Sequence, residues 1–323
     1  MAVSNLLSGK GHDVTIWEFD PAAAAELKKT RMLPKKLPGI SLLDSVSVTN
    51  EISTIVEKAS VIAFAVPSQT MRSVAGQLER PKPERPFLLV NLAKGIEVGT
   101  MKRMSEILEE TIPEAMRRGV ATLSGPSHAE EVSRNIPTTV VAASKDLNVA
   151  KEVQQIFLTS RFRVYTSNDI LGVELAGSLK NIIALAAGML DGLGMGDNTR
   201  GALLTRGLAE IVRIGRKLGA DPMTFSGLSG IGDLVTTCLS RHSRNRFVGE
   251  QIGRGRKLES ILSHLTMVAE GVETTRSGHD LSLKHEVEMP ITAEVFKVLF
   301  EGKAPSDAIN DLMIRDPKAE GWS

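Results

Sequence analysis

The chain has 323 residues, enough for a sizeable core and for about two domains. Its 39 Lys and Arg residues against 38 Asp and Glu residues give a net charge of +1. This balance argues against a nucleic acid or an anionic membrane surface as the main partner, and it favours a small-molecule ligand. Cys238 is the only cysteine, so intramolecular disulfides are excluded. Because no uninterrupted apolar run reaches membrane-spanning length and the first residues lack signal-peptide features, we expect a cytoplasmic protein.

Short β-branched runs alternate with helical stretches from His12 to about Tyr165. This alternation is typical of a doubly wound, Rossmann-type α/β sheet whose strands are mostly parallel and whose two faces carry helices. Helices are predicted over residues 21–30 and 101–110. The predicted strands cover residues 13–17, 61–66, 87–91, 120–124, 138–142 and 162–165.

The strand pattern stops after Asn168, and helical periodicity continues to the end of the chain. Glycine-rich turns at residues 192–196 and 227–232 interrupt this periodicity. We therefore expect two domains, an NAD-binding Rossmann-type domain over residues 1–166 and an all-α substrate domain over residues 167–323.

The longest predicted helix covers residues 170–190, and it is apolar and small except near Lys180. One strip of it carries almost no side-chain bulk and can accept a flat ring or a second backbone. A partly desolvated lysine beside such a strip has a lowered pKa and can transfer protons near neutral pH. The alternative is a lysine that extends from a core helix to solvent. The strip consists of Gly177, Asn181, Ala184 and Gly188.

A doubly wound sheet normally opens with a strand, a G-x-G-x-x-G turn and a helix, because the backbone there must approach a pyrophosphate closely. In this sequence the glycine clusters at residues 192–196 and 253–255 follow helical segments instead of strands. The first twelve residues are typical of the end of a first helix that runs into a second strand. We therefore expect the first strand and its glycine turn, on the order of 10 to 20 residues, to be absent.

Small and polar residues follow several predicted strands at their carboxyl ends, where ligands bind in such sheets. Pro67, Lys94 and the segment 124–130 each follow one strand. Turn chemistry alone explains any one of these, whereas three in succession favour a binding site. Glu18 follows the strand at residues 13–17, where an acid can accept ribose hydroxyls and repel a 2′-phosphate.

A set of short motifs runs along essentially the whole chain, from Gly11 to about Gly302. They lie at residues 66–68, 93–95, 124–127, 179–181, 191–194, 232–234, 243–246 and 290–292. In this order and spacing they resemble the NAD(P)-dependent glycerol-3-phosphate dehydrogenases of the bacterial cytoplasmic type. The resemblance implies reversible hydride transfer between NAD(P) and carbon 2 of sn-glycerol 3-phosphate, which gives dihydroxyacetone phosphate and supplies phospholipid backbones.

Carried over residue by residue, the resemblance implies that Lys180 accepts and donates the proton at the C2 oxygen, with Asp233 and Thr237 beside it. The implied substrate contacts are Lys94, Gly125, Ser127, Lys180, Asn181, Asp233, Ser243, Arg244 and Asn245. The implied cofactor contacts are Glu18, Phe19, Pro67, Lys94, Ala129, Arg244, Val268 and Glu270.

Arg244 has a chemical reason to bind substrate apart from any resemblance, because a phosphomonoester needs a planar fork of donors. Phe19 departs from the family pattern, since an arginine is common there in members that also accept NADP. The sequence therefore favours NAD, with NADP left open. The histidines form no H-E-x-x-H or Cys/His spacing, so we expect no metal.

Three hypotheses stay open at this point. The first is an active glycerol-3-phosphate dehydrogenase. A homodimer is compatible with this hypothesis. The second is another two-domain hydroxyacid or sugar-acid dehydrogenase of the same architecture. The third is a truncated chain that is inactive and serves only as a binding module.

Overall fold

The computed structural model describes residues 1–79, 85–317, 319 and 320. In this part of the chain the strands all lie before the long central helix and form two sheets. One sheet has the order β1-β2, and the other has the order β3-β4-β5-β6-β7. The strands are β1 (Thr15–Trp17), β2 (Ser47–Thr49), β3 (Val61–Phe64), β4 (Phe87–Asn91), β5 (Arg117–Ser124), β6 (Thr138–Ala143) and β7 (Phe162–Ser167).

The helices of the sheet-forming half cover the sheets. They are α1 (Ala2–Gly9), α2 (Pro21–Thr30), α3 (Ile52–Lys58), α4 (Met71–Gly76), α5 (Met104–Thr111), α6 (Ala129–Ser133) and α7 (Leu147–Phe157). The rest of the described chain is helical. Its helices are α8 (Ile170–Gly192), α9 (Asp197–Leu218), α10 (Asp233–Leu239), α11 (Arg244–Gly253), α12 (Leu258–Ser263), α13 (Glu270–Lys284), α14 (Pro290–Phe300) and α15 (Pro305–Met313).

Strand β4 lies between β3 and β5 in the larger sheet, and all five of its residues are buried. A continuous apolar run of this kind is typical of a parallel strand that is covered on both faces. The ladders β3-β4, β4-β5 and β6-β7 are parallel. The sequence therefore predicted the fold class correctly, a Rossmann-type α/β part followed by a helical part.

Two features of the sheets were not predicted. Strand β6 runs antiparallel to β5, with Ser124 opposite Val141. The connection between them carries only the five-residue helix α6, whereas parallel neighbours are joined by crossovers of a dozen or more residues, usually with a full helix. Strand β2 was missed because it has only three residues and no sustained apolar pattern.

The beginning of the chain forms helix α1 and then strand β1. Strand β1 pairs in parallel with β2. Among the described residues no ladder joins this pair to the larger sheet.

Helix α8 is the central element of the helical part. By length and composition it could cross a membrane, but 94% of its most apolar window is buried inside the protein. The strip of small residues on α8 packs against the backbone of α11, where a Cβ at Gly188 would lie 1.9 Å from the carbonyl oxygen of Arg246. The same close contact is made by Gly249 of α11, where an added Cβ would lie 2.0 Å from the carbonyl oxygen of Leu185 on α8. A second backbone, and not a flat ring, therefore occupies this end of the strip.

Glu174, near the start of α8, joins the helical part to the larger sheet. Its buried carboxylate accepts hydrogen bonds from Asn91 Nδ2 at 3.2 Å, Thr122 Oγ1 at 2.8 Å and the backbone N–H of Ser105 at 2.9 Å. The guanidinium of Arg103 neutralises it at 2.7 Å. A buried carboxylate is tolerated only when it is paired and hydrogen-bonded in this way. These bonds fix the position of α8 relative to β4 and β5.

Candidate active site

Asp233 bridges two lysines that are far apart in sequence. Its Oδ1 accepts a hydrogen bond from Lys180 Nζ at 2.9 Å, and its Oδ2 accepts one from Lys94 Nζ at 2.7 Å. Lys180 comes from α8, Lys94 follows β4, and Asp233 begins α10. The cluster therefore lies where the carboxyl end of the larger sheet meets the helical part.

Lys180 does not reach solvent. Its residue exposure is only 4%, so the alternative of a lysine that extends from the core to water is wrong. Burial lowers the pKa of Lys180 to about 8, because desolvation outweighs the opposing effect of Asp233. The ammonium also donates to Thr237 Oγ1. A lysine with this pKa exchanges protons readily near neutral pH.

Asp233 remains ionised despite its burial. Burial alone would raise the pKa of its carboxyl, but the ammonium groups of Lys180 and Lys94 together hold that pKa below its usual range. Asp233 is also in the first turn of α10, where the helix dipole favours a negative charge. Thr237, one turn further along, donates to Asp233 Oδ1 at 3.3 Å.

A π-helical turn (Leu228–Gly232) leads into Asp233, where the sequence predicted a glycine-rich turn. Gly230 is required there, because a Cβ would lie 2.0 Å from the carbonyl oxygen of Phe225. This close approach of two backbone segments sets the point at which α10 begins.

The turn after β5 contacts the same cluster. The carbonyl oxygen of Gly125 accepts hydrogen bonds from Lys94 Nζ at 2.8 Å and from Ser127 Oγ at 3.1 Å. Gly125 has a φ of 138°, and a Cβ there would lie 3.0 Å from Val140 Cα, so a side chain is excluded. The turn thus brings backbone groups close to the lysines.

Three amide groups connect the Lys94 turn to the helices. Asn181 Nδ2 donates to the carbonyl oxygen of Lys94 at 3.1 Å, and Asn181 Oδ1 accepts from Asn245 Nδ2 at 2.9 Å. Asn245 Oδ1 in turn accepts from the backbone N–H of Gly271 at 2.9 Å. Both asparagines are buried, so their side chains are held in fixed orientations.

The start of α11 presents a basic side chain beside this amide chain. Ser243 caps the helix by accepting a hydrogen bond from the backbone N–H of Arg246 at 3.2 Å. Arg244 is exposed, and its Nη1 donates to the carbonyl oxygen of Val268 at 2.7 Å. The remaining donors of its guanidinium can meet an anion.

Glu270, at the start of α13, binds the turn after β3. Its carboxylate accepts hydrogen bonds from the backbone N–H of Ser68, at 2.9 Å, and from the Ser68 hydroxyl. Burial raises the pKa of Glu270. Pro67 is exposed next to this contact, and Ala129 is exposed at the first position of α6.

Glu18 and Phe19 stand apart from these residues, because they follow β1 in the two-stranded sheet. Glu18 pairs with Lys36 at 3.1 Å. Phe19 is 74% exposed. The structure therefore assembles the candidate residues of the larger sheet and of the helical part, and places these two on the other sheet.

The turn after β5 offers polar atoms to a ligand. In the turn after β5, Ser124 Oγ and His128 Nε2 are buried and have no hydrogen-bond partner. Such atoms are normally satisfied in a functional state, so a ligand with polar groups is expected to reach them. The exposed Arg244 supplies a cation near Glu270.

Sequence reasoning did not assign a role to Ser68, Glu174 or Asp191. Asp191 had a signal in the sequence, because an acid at the end of an apolar helix faces the negative end of the helix dipole and needs a cation. Glu174 had a similar signal as an acid in an apolar helix. Ser68 had none beyond its place at a strand end, since its partner Glu270 is distant in sequence.

Comparison with known families matches both halves of the chain. Residues 1–150 match the N-terminal model of NAD-dependent glycerol-3-phosphate dehydrogenase, and residues 169–310 match the C-terminal model. A crystal structure of glycerol-3-phosphate dehydrogenase from Coxiella burnetii superposes with a TM-score of 0.92 and 33% identity, covering 97% of this chain and 95% of that one.

Curated relatives are closer in sequence. The glycerol-3-phosphate dehydrogenase [NAD(P)+] of Chlorobium phaeobacteroides (strain BS1) is 54% identical over 315 residues, which cover 98% of this chain and 94% of that protein. The enzyme of the same name from Prosthecochloris aestuarii is also 54% identical over 315 residues, covering 98% of this chain and 95% of that protein. The chain therefore belongs to the NAD-dependent glycerol-3-phosphate dehydrogenase family.

Proposed function

We propose that this chain catalyses the reversible oxidation of sn-glycerol 3-phosphate to dihydroxyacetone phosphate with NAD(P). The observation that carries the proposal is the cluster of Lys180, Asp233 and Lys94, in which one buried carboxylate bridges two ammonium groups. Oxidation of a secondary alcohol needs a base for the hydroxyl proton, beside a site for the hydride acceptor. The identity of the substrate is inferred from the family and from the names of its members.

Lys180 is the proposed proton acceptor and donor. In its neutral form it takes the proton of the C2 hydroxyl during oxidation, and in its ammonium form it returns a proton to the C2 oxygen during reduction. A nicotinamide cofactor, when bound, would supply or accept the hydride at carbon 2. The carboxylate of Asp233 offsets the positive charge of Lys180. The hydroxyl of Thr237 accepts a hydrogen bond from the ammonium group and orients it.

The substrate phosphate is assigned to the start of α11. Arg244 is the proposed partner of the phosphate, because its exposed guanidinium offers several donors in one plane. Ser243 and Asn245 flank it on the capped first turn. The other proposed substrate contacts, which surround the lysine cluster, are Lys94, Gly125, Ser127 and Asn181.

The proposed cofactor contacts lie along the carboxyl ends of the strands and on the facing helices. We favour NAD over NADP because acids flank Phe19 at the end of β1 and would repel a 2′-phosphate. The contacts are Glu18, Phe19, Pro67, Lys94, Ala129, Arg244, Val268 and Glu270.

The cellular setting follows from this activity. We infer a cytoplasmic enzyme that supplies glycerol phosphate for phospholipid backbones, and a homodimer is compatible with this role. We also place the boundary between its dinucleotide-binding and substrate domains at about residue 166, between residues 1–166 and 167–323. Sedimentation of the purified protein tests the homodimer, and a monomer at working concentration contradicts it.

The activity is tested by following NADH oxidation with dihydroxyacetone phosphate, dihydroxyacetone and a series of 2-keto acids and keto sugar acids. The kcat/KM for dihydroxyacetone phosphate should be higher than for the other substrates by about 100-fold or more, because the site supplies a cation for its phosphate. NADH should be used more efficiently than NADPH. Faster turnover of a keto acid or keto sugar acid would support the second hypothesis, and no turnover with any of them would support a binding module.

A further inference from the structure

Asp191, near the end of α8, is an acid with a largely buried side chain that the proposed chemistry does not use. Its side chain is 8% exposed, and it lies where the helix dipole disfavours a negative charge. It accepts a hydrogen bond from Arg200 Nη2 at 2.5 Å and one from Arg246 Nε at 2.6 Å. Two cations therefore compensate a single carboxylate.

The two arginines come from different elements. Arg200 lies in the first turn of α9 and also pairs with Asp197 at 2.6 Å. Arg246 lies in the first turn of α11, directly after Arg244 and Asn245. Only the pair with Arg246 connects Asp191 to the proposed phosphate-binding turn.

Both the backbone and the side chain of Arg246 are held against α8. Its carbonyl oxygen occupies the space that a Cβ at Gly188 would need, and its guanidinium meets Asp191 three residues further along α8. Its N–H donates to the Ser243 hydroxyl that caps the helix. A shift of Arg246 would therefore move the whole first turn of α11.

We propose that Asp191 is a positioning residue for the substrate phosphate, acting through Arg246. The ion pair fixes the turn Ser243–Asn245 at a set distance from Lys180, which lies on the same helix as Asp191. It also engages Arg246, so that Arg244 is the guanidinium that meets the phosphate. This inference rests on the proposed assignment of the phosphate to Arg244.

The test is the steady-state kinetics of Asp191→Asn with dihydroxyacetone phosphate and, separately, with dihydroxyacetone. We expect KM for dihydroxyacetone phosphate to rise about 10- to 100-fold, the size of effect that a misplaced binding group produces. The kcat should change by less than about threefold, and kcat/KM for dihydroxyacetone should stay within the same limit. The inhibition constant of inorganic phosphate should rise in parallel.

Two arginine variants serve as matched controls. Arg254→Ala removes an exposed ion pair with Glu250, 2.5 Å long, at the far end of the same helix α11, and should leave KM unchanged. Arg200→Ala removes the other partner of Asp191 and should change KM by less than about threefold. Asp191→Glu keeps the charge but lengthens the side chain, so it should give an intermediate KM. This variant also tests the inference if Asp191→Asn folds poorly.

Several outcomes would overturn the inference. A lower KM in Asp191→Asn would mean that the released Arg246 binds the phosphate itself. Equal losses with dihydroxyacetone phosphate and dihydroxyacetone would make Asp191 purely structural. A raised KM in Arg244→Ala together with an unchanged KM in Asp191→Asn would contradict this inference alone, whereas an unchanged KM in Arg244→Ala would contradict the phosphate assignment on which it rests.

Discussion

Lys180 and Asp233 form a buried ion pair, with 2.9 Å between Lys180 Nζ and Asp233 Oδ1. The other oxygen of Asp233 binds Lys94, so the carboxylate is shared between two ammonium groups. The positive charge of Lys94 disfavours the ammonium form of Lys180, and the negative charge of Asp233 favours it. The proton affinity of Lys180 therefore depends on two other side chains, each from a different part of the chain.

Replacement of Lys180 by alanine should lower kcat by about 10² to 10⁴ in both directions, the usual range for a general acid–base group. The reaction would then lack a proton acceptor at the C2 oxygen. Initial rates with each substrate measure this, and circular dichroism checks that the variant is folded. Surface-exposed Lys217→Ala is the control and should be unaffected. Near-normal turnover of Lys180→Ala would remove this residue from the mechanism.

The pH dependence of kcat should differ in sign between the two directions. Because the pKa of Lys180 is about 8, the neutral amine required for oxidation accumulates as the pH rises through 8. The ammonium required for reduction is lost over the same range. Oxidation should therefore accelerate and reduction should slow between about pH 7 and pH 9. Profiles that rise together in both directions would contradict the assignment.

Variants of the neighbouring charges should move the midpoint of these profiles in opposite directions. Asp233 raises the pKa of Lys180 and Lys94 lowers it. Asp233→Asn should therefore shift the midpoint to lower pH, and Lys94→Met should shift it to higher pH. The residual activity of each variant is measured across the same pH series. Shifts of the same sign in both variants would mean that the titrating group is not Lys180.

Replacement of Arg244 by alanine should raise KM for dihydroxyacetone phosphate by about 10- to 100-fold, because charge-assisted hydrogen bonds of about 1.5–3 kcal/mol are lost. Turnover of dihydroxyacetone should hardly change. Arg244→Lys should recover only part of the affinity, since a point charge cannot reproduce the planar fork. Arg241→Ala, in the exposed loop just before, is the control. Equal effects on both substrates would show that Arg244 is structural.

Replacement of Gly188 by alanine should destabilise the protein by about 1–3 kcal/mol or more, the cost of overpacking a close contact. The added Cβ would meet the carbonyl oxygen of Arg246 at 1.9 Å, and backbone cannot move aside as a side chain can. Chemical denaturation measures the change. Gly201→Ala is the matched control in the exposed first part of helix α9, where nothing lies within 4 Å, and it should stabilise by about 0.5–1 kcal/mol. Equal stability of the two variants would mean that α8 and α11 can separate freely.

Local pattern was sufficient for the fold class and for several of the elements. The sequence predicted helix α2 at its observed bounds and all five residues of β4, because the residue types that favour a helix or a buried strand are local to the element. The same pattern identified α8 and made Lys180 conspicuous as a charge on an apolar helix. Short elements such as β2 gave too few residues for a period to be recognised.

Tertiary structure decided the contacts that give those residues their chemistry. Lys94, Lys180 and Asp233 are each separated by dozens of residues, and only the docking of α8 on the sheet and of α10 on α8 brings their charges within 3 Å. The glycines of α8 were visible as a strip without bulk, but whether a ring or a backbone filled it depended on the path of α11. Sequence alone determines which residues are small, apolar or charged. Which of them meet depends on packing between distant segments, and at this site the packing places a lysine where burial brings its pKa to about 8.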